Sequence, residues 1–467
     1  MKLIRGRWTG PAVVATVLAG VVVGTATAAG PAGAEAAVAD ASVPSYDVLG
    51  YDVAIRYQPD TQTLEGDTTV SATATEALDS LTLQLSGPAV RSVAVDGEQA
   101  ESFSRTGEQD LVIAPATPID RGDRFRVRVT YDGTPGSGWL DTASGGAAAM
   151  IGSSSAWFPV HDGARDRASF SLAATVPDGW SAVSIGREGT PVREAGATTF
   201  RWSEPDVDPD HVAVTIDRLT IERSELADGT PQVDAYAPGL RETTEPLAKR
   251  LPEVLGFLSG RFGPYPFDSA GNVFVHVNDD GPATAPQTRP VYLGAGNPQY
   301  MTLHPVVHEQ AHQWYGVSVT PHDREDACLS ECFAEYATWL WDEERDGVDL
   351  DTRYRELVET NRGDGAFWGE LYRPGTTPQI NLYSKGPVAL HALRRQVGDE
   401  AFDRLLRTWP QEHRGEYVTW PQLESFAEQV AGQDLTGFFG AWFRSAGVPS
   451  DEYLWPGDLA TAAVCHR

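Results

Sequence analysis

An α+β chain of more than one domain is the fold class that three observations predict. From Tyr46 to about Ile221, short runs of alternating apolar and polar residues are separated by turn formers, the pattern of an antiparallel β-sheet arranged as a saddle or sandwich. From Thr243 onward the apolar residues recur at helical spacing, with Leu247, Leu251, Leu255 and Leu258 as the clearest instance. The 467 residues exceed what one hydrophobic core normally serves, so two or three cores are expected.

The first element reads as a leader. Lys2, Arg5 and Arg7 precede an apolar run over about 11–24, and Ala32-Gly33-Ala34 before Glu35 has the small-x-small form of a cleavage site, with Ala26-Thr27-Ala28 as a second option. Residues 1–34 are therefore expected to be a secretory signal peptide, the mature chain to be secreted, and 35–44 to form a flexible start. The apolar run is below spanning length, no stop-transfer charges follow it, and no later stretch could cross a bilayer, so no stable membrane association is expected.

A β-sheet domain is expected over 45–230, with strands at 51–57, 68–75, 81–85, 125–131, 170–176 and 211–216. Gln58-Pro59-Asp60, Asp96-Gly97 and Pro177-Asp178-Gly179 supply turns between them. Ala227-Asp228-Gly229-Thr230-Pro231 reads as the linker, and a second domain is expected over 231–449. It should hold a helix at 243–261, a strand at 271–277, a loop rich in Gly, Pro and Asn, a helix bearing His308 and His312, and another helix over 327–344. Trp339, Leu340 and Trp341 read as core. Amphipathic segments at 387–397, 400–409, 421–430 and 435–445 predict a helical C-terminal end, and the tail 450–467 reads as poorly ordered.

The chemistry concentrates at His308-Glu309-Gln310-Ala311-His312. Residues four apart share a helix face, so both imidazoles can meet one ion while Glu309 flanks it. A catalytic zinc takes three protein ligands and keeps an open position for water. Glu331, with eighteen residues between it and His312, supplies a carboxylate on a following helix. The pattern predicts one Zn²⁺ per chain; the bland alternative is an amphipathic helix with packed or solvated histidines.

A formal charge of -29 sets the chain against nucleic acid and anionic membrane surfaces, whose fields would repel it. Nothing in the sequence specifies an oligomeric state. Three cysteines, Cys328, Cys332 and Cys465, cannot all pair within one molecule. Cys328 and Cys332 stand one helical turn apart, Cys465 lies in a tail that can swing back, and the pattern selects no single bridge.

These residues resemble the zinc aminopeptidases related to aminopeptidase N and leukotriene hydrolase, gluzincins in which a thermolysin-like zinc catalytic domain ending in helices follows a β-sheet domain. The similar segments are HEQAHQWYG from His308, LSECFAEY from Leu329, and Tyr383-Ser384-Lys385-Gly386 ahead of a helix. Supporting matches are Trp157-Phe158-Pro159-Val160-His161-Asp162 and Pro286-Gln287-Thr288-Arg289-Pro290-Val291-Tyr292. The resemblance covers nearly the whole mature chain. It implies a hydrolase acting on peptide or protein substrates, with His308, His312 and Glu331 as zinc ligands, Glu309 as general base and Tyr383 as the hydroxyl that stabilises the oxyanion. Glu335, one turn after Glu331, is placed either as a group that orients a ligand histidine or as a solvated glutamate. Without the resemblance, Tyr383 reads as an ordinary surface or core tyrosine.

Two departures concern the substrate's N-terminus. The loop that usually carries an amine-binding glutamate reads Gly281-Pro282-Ala283-Thr284-Ala285, with Thr284 in the glutamate's place. Counting nine positions back from Pro159, where a second acidic or amide residue is usual, lands on Met150. Met150, Ala283, Thr284 and Ala285 are thus expected to line an altered pocket, with Asp279 or Asp280 as possible substitutes for the lost charge. The alternatives are a peptidase for blocked N-termini or internal bonds, and a zinc-bearing protein that binds peptides without turnover.

Overall fold

The computed structural model describes residues 44–163, 165–277, 283–373 and 380–460. The expected signal peptide, nearly all of the flexible start, Asp279, Asp280 and Cys465 lie outside the described residues.

The N-terminal half is built on a nine-stranded sheet whose long strands are Tyr46–Gln58, Thr63–Ala74, Arg124–Gly133, Ala168–Pro177 and Ala197–Val207. Its neighbours pair antiparallel except Tyr46–Gln58 with Ala168–Pro177, which run parallel, so the expected antiparallel sheet is mixed. The first strand also begins earlier than its alternation indicates. Tyr46 and Val48 are buried, then a bulge at Leu49 shifts the phase so that Tyr51, Val53, Ile55 and Tyr57 face the same core. A strict period of two sees only the part after the bulge. A four-stranded and a three-stranded sheet complete this domain around one shared core. The segment expected as a strand at 211–216 divides into a short turn, Pro209–His211, and a strand, Val214–Asp217.

Ala227 to Pro231, expected as a linker, is instead the turn of a hairpin between Thr220–Glu225 and Pro231–Tyr236. Both strands belong to a second sheet, ordered Thr220–Glu225, Pro231–Tyr236, Ala270–Phe274, Val291–Tyr292 and Ala283–Thr284. Its central strands are buried on both faces, as a parallel core sheet is. Val233, Ala235, Val273 and Val291 face the β-sheet core, while Tyr236, Phe274 and Tyr292 stack toward the helices. One sheet thus serves as the wall between the two cores.

The wall is clamped by Arg289, which is 2% exposed. Its guanidinium donates from Nη1 to the Ser184 carbonyl and from Nη2 to the Gly186 carbonyl, both 2.8 Å, across the Trp202 ring. Two buried carbonyls would lose their donors without it, at about 1–3 kcal/mol each. The stretch Gln287-Thr288-Arg289 is therefore the seam between domains. Gln313 ties that seam to the zinc helix, accepting from the Thr288 amide at 2.7 Å and donating to the Pro286 carbonyl at 3.0 Å.

Ten helices follow among the described residues: α1 Arg241–Ala248, α2 Leu251–Phe262, α3 Leu303–Ala311, α4 Glu331–Asp346, α5 Leu350–Asn361, α6 Ile380–Val397, α7 Asp399–Glu412, α8 Trp420–Ala431, α9 Thr436–Trp442 and α10 Asp451–Leu454. The helix expected at 243–261 is broken between α1 and α2, because Pro252 cannot continue the preceding hydrogen-bond ladder and starts a new helix in its first turn. The helix expected over 327–344 begins only at Glu331, after the tight turn Arg324–Leu329. Its Trp339, Leu340 and Trp341 are core. Tyr383-Ser384-Lys385-Gly386 lies inside α6 and not ahead of it, since α6 accommodates Pro387 in its interior. The tail is packed as far as the described residues reach: Leu454 and Leu459 are buried, Tyr354 donates to the Leu454 carbonyl and Trp442 to the Tyr453 carbonyl.

Candidate metal centre

Helix α3 presents His308 and Glu309, and His312 follows its last residue with helical dihedrals, so the face continues through the second histidine. The two Nε2 atoms face each other at 3.1 Å. Glu331 opens α4, and its Oε2 lies 3.5 Å from His308 Nε2 and 3.6 Å from His312 Nε2. The centre of that triangle is about 2 Å from each corner, the length of a zinc–nitrogen or zinc–oxygen bond. Glu331 Oε2 is buried and receives no hydrogen bond among the described residues. A divalent cation fits that donor set.

Each donor is aimed by a partner behind it. His308 Nδ1 stands 3.0 Å from Glu335 Oε2, so its N–H donates to the carboxylate and its Nε2 lone pair points inward. His312 Nδ1 stands 3.0 Å from the Tyr315 carbonyl and 2.9 Å from Ser330 Oγ, which selects the same tautomer. Gly316 makes that contact possible. At φ +127°, a Cβ on it would sit 2.4 Å from Ser330 Oγ and 3.2 Å from His312 Nδ1. Ser330 and Gly316 escape a reading of spacing, because their role appears only once the chain has turned back on itself.

Burial opposes the charge of Glu331, but His312, His308 and the Tyr383 hydroxyl outweigh it and hold the carboxyl at about 2. Glu309 differs. Burial pushes it up to about 7, resisted by His308 and reinforced by Glu331. Two neighbouring carboxyls thus have separated proton affinities, as a ligand and a proton carrier require. Tyr383 sits at the rim, 43% exposed, with its ring 5.8 Å from that of His308 and its hydroxyl close enough to Glu331 to feel its charge. Burial of that hydroxyl, together with Glu331 and Glu309, keeps it protonated.

The expected pocket residues lie on two separate segments. Ala283 and Thr284 form the edge strand of the second sheet, against α3, and Ala285 follows them into the core. The edge beside α3 is this strand and not the central one at Ala270–Phe274. Thr284 is buried and its hydroxyl has no hydrogen-bond partner among the described residues. Met150 is half-buried on a loop whose Gly152 amide donates to the Asp210 carbonyl at 2.7 Å. The Gln287 amide, three residues past Thr284, donates to the neighbouring His211 carbonyl at 3.1 Å. The turn Pro209–His211, absent from the sequence reading, therefore joins the two segments. A further cluster, His322, Asp323 and Asp326, has its acids engaged. Asp326 accepts from the Trp420 and Asp323 amides, and Asp323 pairs with Arg165.

Residues 297–442 match the Peptidase family M1 domain. The chain superposes on the M1 zinc metallopeptidase of Deinococcus radiodurans with a TM-score of 0.76 at 26% identity, covering 87% of this chain and 95% of that one. Residues 297–442 are thus an M1 peptidase domain, in a chain with the fold of an M1 zinc metallopeptidase. A variant of the same Deinococcus protein bound to a Tyr-Ser-Ala substrate matches this chain with a TM-score of 0.77. Aminopeptidase N of Lactococcus lactis subsp. lactis is 27% identical over 161 residues, and that of Streptomyces lividans is 27% identical over 162. The aligned part is 31% of this chain but only 18% of either relative.

In this M1 centre, Glu335→Ala should weaken zinc binding by about 10- to 100-fold, because His308 loses the acceptor that fixes its ring and tautomer. Competition with a fluorescent chelator measures it, and unchanged affinity would reassign Glu335 as a solvated side chain.

Proposed function

We propose that this chain is an exported metallopeptidase that holds one zinc ion with His308, His312 and Glu331 and hydrolyses peptide bonds. The observation that carries the reading is the triangle of inward-facing donor atoms, with Glu309 and the Tyr383 hydroxyl beside it. A zinc ion held by His308, His312 and Glu331 would supply Lewis acidity that lowers the pKa of the attacking water toward neutrality. Glu309 takes the proton from the attacking water and passes it to the departing amine nitrogen, so the proton lost by one partner is gained by the other. The Tyr383 hydroxyl donates to the oxygen that gathers charge as the carbonyl carbon becomes tetrahedral. The edge strand Ala283–Thr284 pairs with Val291–Tyr292 on one side and offers an extended peptide its other side. The tripeptide held by the Deinococcus relative supports short peptides as the substrate class.

Glu309→Gln should retain zinc and lose turnover by orders of magnitude, while Tyr383→Phe should lower kcat by about a hundredfold or more with little change in KM. Steady-state kinetics with metal analysis decides. Near-normal turnover in Glu309→Gln would remove Glu309 from the role of general base, and a zinc-loaded wild type that binds peptides without cleaving them would support the alternative without catalysis.

The neutral Met150, and a Thr284 hydroxyl without a hydrogen-bond partner among the described residues, support weak discrimination between free and blocked N-termini. Matched free-amine and acetylated peptides should be cleaved at similar kcat/KM. Thr284→Glu should shift preference toward the free amine by about tenfold to a hundredfold, about 1.4 to 2.7 kcal/mol. A wild-type protein that strongly prefers free amines, and loses the preference in Asp279→Asn or Asp280→Asn, would show that one of these aspartates already supplies the charge and that the pocket is not altered.

The leader-like segment and the Cys328–Cys332 disulfide support export, since disulfides persist in oxidising compartments. The intact mass of protein recovered from the medium should correspond to a chain starting at Glu35. Retention of the full chain in the cytosol would overturn that part of the reading.

A further inference from the structure

Cys328 and Cys332 form a disulfide that closes a ring of five residues, Cys328-Leu329-Ser330-Glu331-Cys332. Inside that ring lie Glu331, whose carboxylate faces the two imidazoles, and Ser330, whose hydroxyl contacts His312 Nδ1. The ring spans the junction where the tight turn Arg324–Leu329 ends and α4 begins.

That junction lacks its ordinary fastening. Ser330 is the N-cap residue of α4, a position where serine normally accepts from the amides of its own first turn. Here it makes no such bond. Its hydroxyl donates to the Tyr315 carbonyl at 3.2 Å and meets His312 at 2.9 Å. The first turn of α4, which carries Glu331, has therefore given up its side-chain cap to the neighbouring ligand.

The sulfurs sit where they can replace that cap. Cys328 is 1% and Cys332 0% exposed, one at the end of the tight turn and the other in the first turn of α4. Outside the ring, Cys332 presses on Gly386 of α6, where a Cβ would lie 2.7 Å from Cys332 Sγ. Gly386 is three residues beyond Tyr383 on the same helix. The cross-link thus touches both the junction bearing Glu331 and the helix bearing Tyr383.

We infer that the Cys328–Cys332 disulfide is a positioning element of the metal centre: it fixes the uncapped start of α4 so that Glu331 and Ser330 stay at ligand distance while Ser330 serves His312. This rests on the reading of His308, His312 and Glu331 as zinc ligands. With both sulfurs buried, the cross-link acts as a fixed part of the site's architecture.

The test uses the mature full-length chain and three variants, Cys328→Ala, Glu331→Ala and Val129→Ala. Cys328→Ala removes the cross-link and keeps the Cys332 sulfur against Gly386. Val129→Ala truncates the β-sheet core far along the chain and serves as a control for lost stability. Zinc release into excess chelator is followed, together with the visible absorption of the Co²⁺-substituted proteins, which reports ligand geometry. Cys328→Ala is expected to release zinc at least tenfold faster than wild type and to change the Co²⁺ bands, and Val129→Ala to change neither. Wild-type release and an unchanged cobalt spectrum in a folded Cys328→Ala protein would overturn the inference. If Cys328→Ala does not fold, Cys332→Ser and the double variant with both cysteines replaced by alanine are measured in its place under the same criteria. Zinc retained by Glu331→Ala would instead strike at the ligand reading, so the two failures are distinguishable.

Discussion

Two imidazole nitrogens and a carboxylate oxygen crowd their lone pairs within 3.6 Å of one another, a grouping that stays unfavourable until a proton or a metal cation lies among them. Much of the catalytic half is arranged to hold that unfavourable grouping in place. His308 is braced by Glu335, His312 by Tyr315 and Ser330, and Glu331 by the junction that the disulfide closes. Each brace comes from a different turn of chain. A cation entering the triangle meets three donors at once, and the scaffold has already met the entropic cost of bringing them together.

The same sheet that separates the two cores also delivers the site. Its inner face stacks Tyr236, Phe274 and Tyr292 beneath α3, and Gln310 fastens α3 to that sheet through the Gly271 carbonyl and Asn272. The Tyr292 hydroxyl lies within electrostatic reach of Glu309. Its outer face joins the β-sheet core, and Arg289 locks the seam. The β-sheet domain therefore touches the segments that flank the metal centre. The Met150 loop and the turn Pro209–His211 reach the edge strand only because the two cores share a wall.

Where sequence and structure part, local physics explains the difference. The bulge at Leu49 hid the first half of a strand by reversing its phase. A Gly-Pro-rich turn that looks like a linker is a hairpin, since turn chemistry does not reveal what the flanking strands pair with. Pro387 suggested a helix start, yet α6 runs through it because packing against α4 outweighs one lost hydrogen bond. The tail after Pro449 looked loose by composition, but Leu454 and Leu459 find a core that no local window contains.

The sequence by itself determined the donor set. A helix repeats every 3.6 residues, so histidines four apart must share a face, and the later carboxylate needed only a second helix to carry it. It also determined that acidic groups were missing at Met150 and Thr284, since absence of charge is a property of residue type. Only the tertiary structure decided which groups aim the donors: Ser330, the Tyr315 carbonyl, the room left by Gly316, the cross-link between Cys328 and Cys332, and the place of Tyr383 at the rim. Those relations join segments separated by up to dozens of residues. They arise from chain reversals and helix packing, whose geometry is set by the whole core and leaves no periodic trace along the chain.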